Sequence, residues 1–145
     1  MGTSNSGTIY RIIDANLNRL REALRVIEEY FRFIKSDKDI SVKLKLIRHT
    51  LEKFEEGFCL QNLLEARDTN TDPFASKNRS EELNRATLHD TLIANFKRSQ
   101  EAARVLEEYA KLTDTPEMSE QAKATRFKLY EIEKLILTHT THHKE

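Results

Sequence analysis

A chain of 145 residues with 24 basic and 24 acidic side chains has no net charge, which excludes the basic excess typical of nucleic-acid-binding domains. One third of the residues are charged and there are only three Gly and two Pro, the composition of one helical domain with a charged surface and enough length for a core. The single cysteine, Cys59, forms no internal disulfide and points to a reducing cytoplasm, and no apolar run approaches the ~20 residues of a membrane span.

Residues 1–7 read as a flexible polar arm without the basic and apolar regions of a signal peptide. Helix one is predicted over residues 8–35, because Ile13, Leu17, Leu20, Leu24, Ile27, Phe31 and Ile34 recur in helical steps and make one apolar stripe. Ser36 and Asp37 break it. Helix two is predicted over 39–56, with Leu44, Ile47, Leu51 and Phe54 as its buried face and Gly57 as its C-terminal stop. The run FCLQNLLEA reads as a short helix, with Cys59 in the core.

Residues 66–80 lack apolar periodicity and carry Asp, Asn, Thr, Ser and Pro73, so they read as a loop. A loop of about fifteen residues in a compact domain is usually functional or disordered. A short helical segment over 81–88 leads into helix three, predicted over 91–112. Thr115, Pro116 and Glu117 then make a helix start: a capping hydroxyl, a proline at the first helical position and an acid in the first turn. Helix four runs to about residue 137 and residues 139–145 form a polar tail. The chain is thus expected to be one helical domain over 8–138, with halves at 8–56 and 91–137 joined by a linker at 57–90.

The two halves are copies. ANLNRLREALRVIEEY, residues 15–30, returns as ANFKRSQEAARVLEEY, residues 94–109, with ten of sixteen positions identical. Most identities are polar, whereas the apolar positions differ, as in Leu20/Ser99 and Leu24/Ala103. Helices kept alike by packing alone would show the reverse. Helix four also echoes helix two, pairing Arg48 with Arg126, Leu51 with Leu129 and Glu55 with Glu133. Two antiparallel hairpins bury their apolar faces most simply as an all-α four-helix bundle with an internal two-fold.

At ~100° per residue, Asn16, Arg19, Ala23, Val26 and Tyr30 form a strip along one edge of the core stripe, and all five recur in the second copy. Asn16, Arg19, Asn95 and Arg98 are therefore expected to converge on one cleft. A guanidinium fork there suits a carboxylate or a phosphate. One alternative is that Arg19 and Arg98 pair across the bundle with Glu101 and Glu22. Arg25 and Glu28 read as an outward ladder of helix-stabilising pairs. The segment Arg67-Asp68-Thr69-Asn70-Thr71-Asp72 concentrates hard oxygen ligands, and Asp68 and Asp72 are read either as Mg2+ ligands or as caps of a surface turn. There is no Gly-rich phosphate loop and no Glu-x-x-His pair of a di-iron bundle. His49 reads as a bundle-surface residue, and His139, His142 and His143 as part of the tail.

The runs RIIDANLNRLREALRVIEEYFRF, LLEARDTNTD and LIANFKRSQEAARVLEEYAKL resemble the small hydroxymethylpyrimidine-phosphate kinase family of thiamine biosynthesis. That family occurs alone or fused in front of thiamine-phosphate synthase (thiamine-phosphate pyrophosphorylase). The resemblance covers residues 9–137. It implies a kinase that transfers a phosphoryl group from ATP to the phosphorylated pyrimidine, giving the diphosphate and not accepting the free alcohol. Under it, Asn16, Arg19, Glu22, Arg48, Asn95, Arg98, Glu101 and Arg126 bind the substrate or its phosphates, Asn16 and Asn95 through either the aminopyrimidine or a phosphate oxygen. Arg67 and Asp68 act in catalysis, and Asp68 and Asp72 hold Mg2+. Where the family continues Val-Gly-Thr after the Arg-Asp-Thr motif, this chain has Pro73-Phe74-Ala75.

A second expectation belongs to another class: a non-catalytic helical module for dimerisation or partner binding, such as an accessory N-terminal domain of a thiamine-phosphate synthase. Its marks are a dry cleft in which Arg19 and Arg98 are neutralised by Glu22 and Glu101, and an exposed apolar patch elsewhere. A homo-oligomer is compatible with either expectation.

Overall fold

The structure, a computed structural model, describes residues 3–68, 71–73 and 87–143, apart from the side chains of 3–6, 60 and 137–143. Apolar spacing turns nearly all of it into helix. The elements are α1 (Thr3–Glu29), a π turn (Tyr30–Ile34), α2 (Lys38–Phe58), α3 (Leu60–Ala66), α4 (Leu88–Ala110) and α5 (Met118–His143). The all-α class expected from the sequence holds, and among the described residues there is no strand.

Helix starts follow capping chemistry. The Asp37 carboxylate accepts from the backbone N–H of Ile40 at 3.1 Å, and the Thr87 hydroxyl accepts from that of Asp90 at 3.0 Å, each satisfying a donor that a first turn leaves open. Several boundaries differ from expectation. The helix at the beginning starts at Thr3, inside the expected arm, and α5 runs to His143, through most of the expected tail. No proline interrupts either stretch, and extending a helix already nucleated by a packed face costs little. Most of the predicted segment at 81–88 and most of the loop at 66–80 lie outside the described residues.

Three residues take other roles than expected. Gly57 does not end α2, which continues to Phe58, and the left-handed residue is Cys59, with φ 66°. Gly57 serves close approach instead, since a Cβ there would lie 2.7 Å from Met118 Sδ. Cys59, expected in the core, is exposed at the corner between α2 and α3. Ile34, expected on the core stripe, is exposed because the π turn adds a residue to the last turn of the first helix and rotates the positions after it out of phase.

Cross-helix pairs set the topology. Arg21 pairs with Glu55 and Arg48 with Glu28, so α1 and α2 are antiparallel. Arg126 with Glu107 and Gln100 with Glu133 make α4 and α5 antiparallel in the same way. α1 packs along α4 and also holds α3, while α5 lies against α2. Tyr10 feels the charge of Asp114, which brings the end of α4 beside the beginning of α1. One core draws Leu17, Leu20 and Leu24 from α1, Leu51 and Phe54 from α2, Leu63 from α3, Phe96 and Leu106 from α4 and Leu129 from α5.

The apolar differences between the copies now have a cause. α1 and α4 pack directly on each other, and Leu20, Leu24, Ser99 and Ala103 are all fully buried. Two identical rows of leucine facing each other would hold the helices apart. Large residues on α1 and small ones on α4 let them close, and the Ser99 hydroxyl, donating to the Phe96 carbonyl at 2.7 Å, is satisfied within its own helix.

Candidate functional site

Two residues on α1, Asp14 and Asn16, divide the polar groups of the molecule. They are roughly 200° apart on the helix, so they flank the core stripe on opposite sides. Asn16 lies toward α4 and Asp14 toward α3.

On the α4 side, Asn16 and Asn95 behave as copies. Each is drawn back onto its own helix, Nδ2 donating to the carbonyl four residues earlier (Ile12 and Thr91) at 2.8 Å. Asn16 is buried and Asn95 half-buried. Arg19 and Arg98 are exposed, and the only side-chain bond of Arg19 among the described residues is a long one, 3.5 Å, to Asn16 Oδ1. Glu22 and Glu101 are exposed too, and among the described residues neither forms an ion pair with Arg19 or Arg98. Among the described residues the alternative cross-bundle pairing of Arg19 and Arg98 with Glu101 and Glu22 is not formed. The Val26 edge of the strip, 40% exposed, opens this seam to solvent.

On the α3 side, Arg67 leaves the end of α3 and grips Asp14 with two hydrogen bonds, Nε to Oδ2 and Nη2 to Oδ1, each 2.8 Å. Asp14 is buried, whereas the Arg67 side chain is 44% exposed. The hydrogen bonds to Asp14 raise the Arg67 pKa, burial works against them, and the Asp14 charge adds a smaller rise. Arg11, one turn before Asp14, donates to the Asp68 backbone carbonyl at 2.6 Å and to Thr71 Oγ1 at 3.1 Å. Asp68 in turn accepts from the Thr71 N–H at 3.2 Å and from its hydroxyl at 2.7 Å. This is a capped turn clamped onto α1 by two arginines.

The catalytic and metal-binding expectations meet this geometry directly. Arg67 is held by a buried carboxylate and does not reach across to Arg19 or Arg98. Both carboxylate oxygens of Asp68 already accept from Thr71. Asp72 is half-buried on the same turn, and among the described residues no three His, Cys, Asp or Glu side chains gather where an ion could sit. His49 is exposed beside Glu52, as a surface histidine. The side chains of His139, His142 and His143 lie outside the described residues.

Arg48 and Arg126, expected to hold phosphate, are the neutralised arginines. Arg48 Nε donates to Glu28 Oε2 at 2.8 Å and Arg126 Nε to Glu107 Oε2 at 3.0 Å. Glu28, expected on an outward face, is buried, and so is Glu107. The Glu107 hydrogen bond, countered by burial, raises the Arg126 pKa. Arg25 and Arg104 then pair with Glu29 and Glu108 at 3.1 and 3.2 Å, so the whole charge pattern is written twice. Each buried pair borders a groove. Glu28 and Arg48 line one of about 440 Å³ between α1, the π turn and α2. Arg126 lines another of about 520 Å³ between α4 and α5. Neither groove is lined by Arg19, Arg98 or Arg67.

Sequence reasoning missed Asp14, Arg11, Glu28 and Glu107. For the glutamates a signal was present: Glu28 and Arg48 lie on different helices and recur together as Glu107 and Arg126. Asp14 has no counterpart, since Ile93 stands there in the second copy.

The ThiD2 family matches the chain over residues 11–135. A protein named thiamine-phosphate synthase from Thermosynechococcus vestitus is 46% identical over 133 residues, 92% of this chain and 36% of that protein. Proteins of the same name from Nostoc punctiforme and Nostoc sp. are 40% and 38% identical over 134 residues, each covering 92% of this chain and 37% of the relative. The chain therefore spans a little over a third of the length of these relatives. No solved structure matches it. These names correct one expectation: the relatives given above are named for the synthase and not for a hydroxymethylpyrimidine-phosphate kinase, and the matching part is a short helical domain.

Proposed function

The chain is a member of the ThiD2 family, and from that premise we propose that it is a helical accessory domain of thiamine biosynthesis that associates with a thiamine-phosphate synthase. One observation carries the proposal: nearly the whole chain corresponds to the N-terminal part of proteins named for that synthase. Two features of the fold agree with it. Arg48 and Arg126, each lining one of the two grooves, are held by the buried Glu28 and Glu107, as in a module whose charges hold its own helices together. Large apolar side chains also stand exposed on its surface.

On this proposal Arg19, Glu22 and Arg98 are solvated side chains along the α1–α4 seam, Glu101 lines the groove between α4 and α5, and Asn16 and Asn95 brace the strip behind the arginines. Arg67, Asp68 and Asp72 shape the turn that links the two hairpins. No helix of the described residues is long and apolar enough to cross a membrane, and the proposed setting is the cytoplasm, where the synthase would act.

The test is an isothermal titration of the chain into purified thiamine-phosphate synthase. Saturable binding at a fixed stoichiometry, with the negative heat-capacity change of apolar burial, is the expected result. Absence of any binding signal with both proteins at tens of micromolar would remove the proposal.

A further inference from the structure

One end of the helical bundle is unlike the other. Phe33, Ile34, Val42, Leu46 and Leu88 are five of the eleven large apolar side chains that stand exposed, at 65%, 54%, 46%, 64% and 57%. Scattered apolar residues on a surface need no explanation, but a concentration of them does. All five belong to the π turn, the first turns of α2 or the first residue of α4. The antiparallel order of α1, α2 and α4 brings these segments to the same end of the molecule. At the opposite end, Leu64 and Leu112 stand exposed.

The backbone at this end departs from regular helix as well. The Lys35 N–H reaches back five residues to the Tyr30 carbonyl, and the Asp37 N–H reaches back to Phe31. Ser36 sits at φ 50°. A π turn at the end of a helix is costly and often marks a functional surface. Here it turns Phe33 and Ile34 outward instead of leaving Ile34 on the core stripe.

Charge gives the end a sign. Arg32, Lys38 and Lys45 line the groove of about 440 Å³ together with Val42, and among the described residues none of the three forms an ion pair. The Arg32 guanidinium lies 4.9 Å over the Phe33 ring, which combines apolar and cationic character in one place. Finally, α5 runs antiparallel to α4, so its last residues emerge beside the first turn of α4, at this same end. In relatives of which such a unit is the N-terminal part, the remaining polypeptide sets out from here.

We infer that the end formed by the π turn, the start of α2 and the start of α4 is the surface on which the thiamine-phosphate synthase seats, through an apolar patch of the synthase rimmed by carboxylates. The inference rests on the accessory-domain proposal. Phe33, Leu46 and Leu88 supply the apolar contact, the groove beside Val42 receives a projecting side chain, and Arg32, Lys38 and Lys45 meet the acidic rim.

The experiment combines hydrogen exchange on the full chain, with and without purified thiamine-phosphate synthase, and titration of variants. Expected are slowed exchange over residues 30–46 and 88–92 and a loss of affinity of at least about tenfold in Phe33→Asp and Leu46→Asp. Both side chains are exposed, so the melting temperature of the free chain should hold. Arg32→Glu and Lys45→Glu should slow association and weaken its salt dependence. Leu64→Asp and Leu112→Asp should bind as the unaltered chain does. If protection and loss of affinity instead fall at Leu64 and Leu112, the surface is wrong while the accessory-domain proposal stands. If the unaltered chain does not bind the synthase, that proposal fails and takes this inference with it.

Discussion

Arg67 reads in the sequence as a group facing a transferred phosphate, and it faces a buried carboxylate of its own chain. What the sequence could not supply was Asp14, a lone acid between Ile13 and Ala15 with no repeat partner. Arg67→Ala would leave Asp14 buried with its charge unmet. The cost should be roughly 1–3 kcal/mol, below the value for breaking a fully buried pair because Arg67 is 44% exposed. Urea unfolding of the variant measures it, and unchanged stability would contradict the clamp. Because the Arg67 pKa is raised, this contribution is complete below arginine's ordinary range and is lost only in strong alkali. Stability should therefore not fall through this pair between about pH 6 and 9. Tyr10 acts nearer that window. Burial first, then the charges of Asp114 and Cys59, raise its pKa, so the folded state holds the phenol proton longer than the unfolded chain. That stabilisation is whole below the phenol's ordinary value of about 10 and disappears as pH rises past it. Tyr10→Phe should lose less stability than the unaltered chain when pH is raised from about 9 to 11, as denaturant midpoints will show.

Helices were the most legible elements, because spacing of apolar residues decides them. Their ends were less so, since Gly57 looks like a stop in sequence and serves instead as clearance for Met118. The repeat was legible as well, but not the reason for its apolar differences. That reason is the α1–α4 contact, and it makes a counterintuitive prediction. Ser99→Leu, which makes the copies more alike, should destabilise the protein by about 1–3 kcal/mol through overpacking. A neutral or stabilising result in thermal unfolding would mean that α1 and α4 have room between them. The duplicated ion pairs give a second, graded prediction. The Arg126 side chain is 14% exposed and that of Arg48 29%, each against a glutamate at 7%. Removing either leaves a buried carboxylate and should cost on the order of 2–4 kcal/mol. Arg126→Ala should be the more damaging of the two by denaturant midpoint, and the reverse order would contradict burial as the cause.

At the scale of the whole molecule, the all-α class was legible because it derives from pattern. The candidate site was legible only in part. Asn16 and Asn95 do take equivalent positions, but Arg19 and Arg98 are exposed and form no ion pair among the described residues, and the Arg67 turn is held on the other flank of α1. A single cleft gathering all of them required the two sides of one helix to face the same way, which periodicity alone could have ruled out had Asp14 been noticed. What remains is a twice-built helical unit whose internal charges are largely satisfied and whose apolar excess lies at one end. Sedimentation velocity of the chain mixed with purified thiamine-phosphate synthase tests its role as an accessory domain most directly. The account predicts one boundary moving faster than either protein alone, growing with concentration into the tens of micromolar. Two boundaries that sediment independently over that whole range would contradict it.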